Sequence, residues 1–237
     1  MPPAYTQTRP LRLAVLISGG GTTLENLIRH IRDGRLQRVE IRLVISSRSA
    51  VRGVDIARQA GLPLKIIRPR DYPDVQTFSD ALASALDAAA VDLVVMGGYL
   101  CFWRIPDRYQ GRVLNIHPAL LPRFGGRGMY GHHVHAAVLA AGERESGCTV
   151  HLADNEYDHG PTIAQVRVPV LPGDTADTLA ARVGVEERKL YPRVIQQVAD
   201  HGLEWLARRA AARAAEAARD SSGADGPGAD AAAPTGW

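Results

Sequence analysis

The chain predicts an α/β fold: an open, mostly parallel twisted sheet with helices on both faces and an antiparallel C-terminal extension. Three observations predict it. Short apolar runs alternate with stretches whose apolar residues recur at helical spacing. The first run ends in a glycine-rich turn just before a helical stretch, and after Gly147 two strand-like runs follow with no helix between them. Strand, helix, strand in repetition demands parallel pairing, whereas two strands in direct succession pair antiparallel.

In chain order, Leu13 to Ile17 has the continuous apolar character of a buried strand, and Leu24, Leu27, Ile28 and Ile31 then mark one face of a helix. Ile41 to Ile45 is a second strand, and Val51 to Ala60 a short helix closed by Gly61. Leu64 to Ile67 is a third strand, after which Val75, Phe78, Leu82 and Leu86 fall on one helical face. Val91 to Met96 and Val113 to Ile116 complete the parallel set. Thr149 to Ala153 and Ile163 to Val170 alternate with period two, and a long helix from about Thr175 to Ala199 closes the fold. Residues 1–10 read as a disordered lead-in, 11–206 as one folded domain and 207–237 as a tail. Arg208 to Arg219, rich in Ala, Arg and Glu, could extend the last helix but lacks an apolar stripe and reads as solvated helix or fraying tail, and from Ser221 onward Ala, Gly, Asp, Pro and Ser cannot bury enough surface to fold.

Composition narrows the function. With 237 residues, 46% hydrophobic and 22% charged, the chain can bury a substantial core. Two cysteines, Cys101 and Cys148, are too few for a disulfide framework and suit a reducing, cytoplasmic setting. No apolar run is long enough to span a bilayer and no opening segment is organised as a signal peptide, so no membrane association is expected. The net charge of +3 is mild and the arginines are scattered rather than striped, which speaks against nucleic acid as a partner. Small molecules are the expected partners, with the chain a monomer or a homodimer.

The most informative stretch is Val113-Leu114-Asn115-Ile116-His117-Pro118. Strand side chains alternate faces, so Asn115 and His117 lie side by side, and Pro118 cannot continue the ladder. A carboxamide beside an imidazole can polarise a carbonyl and move a proton. Alone, the pair reads equally well as a satisfied strand-end couple. Ser18-Gly19-Gly20-Gly21-Thr22-Thr23 leads into a helix, whose first N–H groups and positive dipole end make a candidate phosphate cradle. Its glycines are contiguous rather than spaced as in dinucleotide or P-loop motifs, and an ordinary strand-to-helix turn is the alternative. In the polar loop from Asp154 to Pro161, Asp158 is the candidate carboxylate to hold the histidine protonated or fix its tautomer, against the reading of an Asx turn. Glu187 shares a helix face with Val183, Leu190, Val194 and Val198, where a carboxylate needs a partner, and a salt bridge at the helix edge is the plainer alternative.

Four segments, Ser18-Gly-Gly-Gly-Thr-Thr-Leu, Leu114-Asn-Ile-His-Pro-Ala-Leu-Leu-Pro, Gly147-Cys-Thr-Val-His and Glu156-Tyr-Asp-His-Gly-Pro, occur in this order and separation. Together they closely resemble the phosphoribosylglycinamide formyltransferases of purine biosynthesis, over about Leu11 to Leu203. The resemblance implies a Rossmann-type formyltransferase fold and a folate-dependent one-carbon transfer. In that reaction the amine of glycinamide ribonucleotide attacks the formyl group of 10-formyltetrahydrofolate through a tetrahedral oxyanion. By the same likeness Asn115 donates to the formyl oxygen, His117 stabilises the oxyanion and acts as the acid, and Asp158 raises the histidine's pKa. The phosphate would sit on Gly20, Gly21, Thr22 and Thr23, and Glu187 would face the ribonucleotide's hydroxyl or amine side. The folate would take Leu100, Cys101, Phe102 and Trp103, with Asp154, Asn155, Glu156 and Tyr157 of the late loop. No metal is implied, and His132, His133 and His135 lack common zinc-ligand spacing.

Three positions depart from the family's pattern: Cys101 stands where an arginine is usual, Val75 at another basic folate-side position, and Gly184 where a longer polar side chain is common near the phosphate. The loop after Pro122 is longer than usual, Gly-rich and basic. Either Arg123 or Arg127 restores lost charge as the loop closes over an anionic substrate, or the loop is merely solvated. His135 matches a histidine of the family's active-site loop. The alternative functions are formyl transfer to another amine, such as a nucleotide sugar or methionyl-tRNA, hydrolysis of the same folate to formate, and ligand binding without turnover. The tRNA enzymes carry an additional carboxyl-terminal domain and the hydrolases an amino-terminal one, and this chain is expected to supply neither.

Overall fold

The computed structural model describes residues 9–222, so most of the expected lead-in and the end of the expected tail lie outside the described residues. Seven strands, β1 (Leu11–Ile17), β2 (Val39–Ser46), β3 (Leu64–Ile66), β4 (Leu93–Met96), β5 (Val113–His117), β6 (Glu145–Leu152) and β7 (Thr162–Pro169), form one sheet in the order β3-β2-β1-β4-β5-β6-β7. The first five are parallel, and β6 and β7 run antiparallel at one side, as predicted. Six helices accompany them: α1 (Thr22–Arg32), α2 (Arg52–Gln59), α3 (Val75–Ala88), α4 (His132–Ala140), α5 (Ala176–His201) and α6 (Glu204–Ser222).

The unbroken apolar run of β1 has a direct cause. Leu11, Leu13, Val15 and Ile17 pack on one face with Leu24 and Leu27 of α1 and Val183 and Leu190 of α5. Ala14 and Leu16 pack on the other with Phe78, Leu82 and Leu86 of α3. A strand covered on both sides has no polar face to alternate with.

Helix boundaries follow local chemistry. Asp74 caps α3, its carboxylate accepting from the Thr77 N–H at 2.7 Å. The apolar stripe begins only at Phe78: Val75 is the helix's first residue and is 45% exposed, not part of the buried face expected for it. A capping box of Thr175 and Thr178 starts α5. Within α5, Pro192 has no N–H to give the carbonyl of Arg188, and that carbonyl instead accepts from Asn26 Nδ2 of α1 at 2.9 Å. One residue earlier, the buried Tyr191 hydroxyl lies 2.8 Å from the Leu114 carbonyl and 3.1 Å from that of Met96. These bonds lock α5 under β4 and β5 and fix where its preceding turn, with Glu187, meets the sheet.

One helix is not read from the sequence as such, and another stays open there between a solvated helix and a fraying tail. The histidine-rich α4 follows a loop whose glycines dominate local propensity, and among the described side chains of α6 Leu206 and Ala210 are buried, with Trp205 partly so. Packing therefore continues past Leu206, and Arg209 Nε donates to the Ile163 carbonyl of β7 at 3.2 Å.

Connections from β1 lead outward to β2 and β3, and those from β4 lead the other way to β5. Between β1 and β4 the winding reverses, and a crevice opens beyond the carboxyl ends of these strands. Ser18, Gly97 and His117 all stand at that edge.

Candidate active site

A cleft of about 710 Å³ occupies the crevice, lined by Gly20, Gly21, Thr22, Thr23, Leu100, Asn115, His117, Arg127, His135, Tyr157, Asp158 and Glu187 among others. At one end lies the glycine turn. Gly21 has φ +70°, and a Cβ on it would stand 2.5 Å from the Cα of Gly53, so only glycine admits this approach of α2 to the turn. No side chain caps α1, which leaves its first-turn N–H groups for another acceptor. Ser18 braces the turn rather than facing a ligand: its hydroxyl is 2.6 Å from that of Ser47 and accepts from the Leu100 N–H at 2.9 Å.

At the other end stand the polar side chains of β5. His151 of β6 is the antiparallel partner of Asn115, and the Asn115 Nδ2 lies 3.0 Å from His151 Nε2 and 3.3 Å from Asp158 Oδ1. The other ring nitrogen of His151 is 3.0 Å from the Leu152 carbonyl, which can only accept, so Nδ1 carries the hydrogen and Nε2 accepts from Asn115. Both carboxamide hydrogens are thus engaged. The expected donation from Asn115 to a formyl oxygen requires one of them to exchange partner.

His117 is 3% exposed. Its Nε2 donates to the Phe124 carbonyl at 2.7 Å, and its Nδ1 lies 3.4 Å from Asp158 Oδ2, which also accepts from the Gly126 N–H at 3.1 Å. A hydrogen exists on Nδ1 as well only when the ring is protonated, so Asp158 favours the imidazolium. Burial disfavours it more strongly, and the net effect holds His117 below its ordinary pKa. Asp158 does push the histidine upward, as expected, but desolvation outweighs it. Burial likewise pushes Asp158 up, yet the nearby His117 ring and the Gly126 amide, which donates to Oδ2, hold it below the usual carboxylate value, so it remains ionised. Phe124 and Asp158 are two of four non-glycine residues described with positive φ, at +58° and +53°. Each such conformation costs about 1–2 kcal/mol and persists here because both ends of the contact with His117 hold it.

Glu187 reaches the cleft without an ion-pair partner among the described residues, and burial raises its pKa to about 7. At Gly184 a Cβ would lie 3.2 Å from Arg188 Nη1, so the guanidinium occupies the space of the missing side chain. The other predicted positions separate. Leu100 and Tyr157 face the cleft, and Phe102 packs against Tyr157 with ring centroids 5.5 Å apart. Cys101, Phe102, Trp103, Asp154 and Glu156 line a smaller adjoining recess. Trp103 is 2% exposed and packs on Tyr109. Asn155 spends its carboxamide on the backbone of Ile105, accepting at 2.8 Å and donating at 3.3 Å, and acts as a brace. Arg123 is paired with Glu143 and stacked on Phe124, away from the cleft, while Arg127 lines the cleft with no ion pair among the described residues. His135 is buried in the cleft wall, His132 faces Asp177 at 3.7 Å, and His133 stands edge-on to Tyr130.

Sequence reading passed over His151 as a site residue. It lies in the Gly147 to His151 segment, but its tie to Asn115 depends on the pairing register of β5 and β6, which no local pattern reveals.

A doubly wound sheet gathers an amide, an imidazole and a carboxylate beside a glycine-lined helix start on a Rossmann-like scaffold. The chain belongs to the formyl transferase family, which matches residues 11–195. It is 41% identical over 196 residues to the trifunctional purine biosynthetic protein adenosine-3 of Drosophila pseudoobscura pseudoobscura, covering 81% of this chain and 14% of that protein. It is 37% identical over 205 residues to the chloroplastic phosphoribosylglycinamide formyltransferase of Vigna unguiculata, covering 85% and 65%. The chain thus spans less than two thirds of these relatives' lengths. Among solved structures, glycinamide ribonucleotide transformylase 1 of Symbiobacterium toebii superposes with a TM-score of 0.75 at 40% identity, covering 82% of this chain and 90% of that one.

Proposed function

We propose that this protein transfers a formyl group from 10-formyltetrahydrofolate to the amine of glycinamide ribonucleotide, a step of purine biosynthesis. One observation carries the reading: a single cleft joins the uncapped start of α1 to the Asn115, His117 and Asp158 group. A phosphate on the N–H groups of Thr22 and Thr23 anchors one end of a substrate whose amine then lies toward His117. Glu187, with its raised pKa, suits hydrogen bonding to the ribonucleotide's hydroxyl or amine in either protonation state.

The exposed Leu100 and the Phe102–Tyr157 pair offer apolar surface that fits the folate ring system. When bound, the folate supplies the formyl carbon, and the chain's own residues do the rest. His117 and Asn115 direct their hydrogens at charge growing on the formyl oxygen, and His117 then passes a proton on, with Asp158 keeping the ring oriented. The attacking amine is already a nucleophile, so no covalent enzyme intermediate is required. Neither cysteine has to be catalytic: Cys101 lines the adjoining recess, and Cys148 is a buried thiol whose pKa burial raises to about 12.

The test is an assay of purified protein with glycinamide ribonucleotide and the formylated folate. Transfer to this amine and not to a nucleotide-sugar amine is expected. Formate release without any acceptor would overturn the assignment in favour of hydrolysis.

A further inference from the structure

Gly184 is the one glycine of α5, and it stands inside a long helix, where glycine weakens the fold. Ala180 and Glu187, one turn to either side of it, line the cleft, so Gly184 belongs to the same helix face. What the glycine admits is a neighbour. A Cβ built there would stand 3.2 Å from Arg188 Nη1 and 3.9 Å from Glu187 Oε2, so the guanidinium and the cleft carboxylate come together over bare backbone. Helix side chains lean toward the helix N-terminus, and Arg188 accordingly covers the turn before its own, along the cleft wall. Its charge reaches the site, where it opposes the upward push of burial on Glu187. That turn of α5 also lies against α1: the Arg188 carbonyl accepts from Asn26 Nδ2 at 2.9 Å, and Asn26 is one turn past Thr22.

The other arginines on this side of the glycine turn are spent. Arg52 donates to the Gly20 carbonyl at 3.2 Å and to Glu25 at 2.7 Å, and Arg29 donates to Asn26 Oδ1 at 2.9 Å. On α5 itself, Arg182 is paired with Asp174 and Lys189 with Glu186. The Arg188 guanidinium has no ion pair or hydrogen bond among the described residues. An exposed arginine is ordinarily just solvated, but this one is brought over the cleft by a glycine that the helix would otherwise be better without. A phosphate on the first N–H groups of α1 would meet a planar, charged fork that matches its oxygens, which the neutral N–H groups alone do not supply. Resting on the phosphorylated substrate of the reading above, we infer that Arg188 binds that phosphate from α5 through the gap left at Gly184, and selects the phosphorylated amine over its uncharged counterpart. It takes no part in proton transfer at His117.

The experiment compares the full chain with Arg188→Ala. Steady-state assays use glycinamide ribonucleotide, calorimetry uses the ribonucleotide and its dephosphorylated riboside, and thermal unfolding is followed without ligand. Arg188→Ala should weaken the ribonucleotide and raise its KM about tenfold, with kcat within about twofold and riboside affinity and melting temperature unchanged. KM should also rise less steeply with salt than in wild type, since screening then acts on one ion pair fewer. Adding Gly184→Lys to Arg188→Ala should recover most of the lost affinity, because an ammonium then enters the space the guanidinium has left. Unchanged KM and unchanged preference for the phosphorylated compound in Arg188→Ala would overturn the inference. So would a lower melting temperature with affinity for both compounds falling together and no rescue by the double variant, the mark of a structural residue. A wild type that does not prefer the phosphorylated compound at all would instead sink the phosphate reading itself.

Discussion

At His117 two influences oppose one another, and mutation can separate them. Truncating the ring in His117→Ala should lower turnover by roughly a hundredfold or more while leaving ribonucleotide affinity near its original value, measured by steady-state kinetics and calorimetry. Asp158→Asn removes the charge that most favours the protonated ring, leaving only the Phe124 carbonyl on that side. An acid works only while protonated, so the alkaline fall-off of kcat/KM should move to lower pH in that variant. Glu187 gives a stability signature of the opposite kind. Its folded pKa of about 7 exceeds the ordinary 4.5, so the folded state holds the proton more tightly, and stability drains away as pH rises from about 4.5 to 7. Glu187→Gln should therefore be more stable than wild type at pH 8, by about 1–2 kcal/mol after allowing for partial exposure, and nearly equal to it at pH 4.5. A melting-temperature difference independent of pH would refute the assignment. Asn115, His117 and Glu187 were legible because strand alternation and helix periodicity fix which way a side chain points, whereas Asp158 was a candidate only as the carboxylate of a polar loop before a Gly-Pro turn. His151 was not, since its role comes from the strand lying beside it.

Elements explain why the glycine turn tolerates so little change. Gly21→Ala adds a carbon where Gly53 already sits and forces a positive φ on a residue with a Cβ. It should destabilise the fold by about 2 kcal/mol or more and separate α1 from α2, as denaturant unfolding would show. Thr22→Asp leaves the backbone alone and should raise KM for the phosphorylated substrate well before it affects kcat. If KM is unmoved, the turn is architecture only. Periodic patterns announced the strands and α1, α3 and α5, because each has an apolar face wide enough to be seen in sequence. They missed the short stripe of α6, built mostly from alanine, and overextended that of α3 to Val75, whose place in the first turn turns it outward.

For the whole molecule, the reversal of winding between β1 and β4 does the gathering. It brings residues from positions 19 to 187 to one edge, on strand ends, helix starts and the loops that join them. That architecture was readable from the alternation of strand and helix alone. How the far edge is sealed was not. Deleting 204–222 would uncover the surface covered by Leu206 and Ala210 and cut the bond from Arg209 to β7, at a cost of about 2–4 kcal/mol seen as a lower unfolding midpoint. The segment from Pro122 to Gly131, for its part, takes hold of both reacting groups at once, through the Phe124 carbonyl and the Gly126 amide. Under the proposed chemistry, the resting protein is sheathed: the ring hydrogen on Nε2 is spent on the Phe124 carbonyl, so its use on a substrate requires that this bond exchange partner.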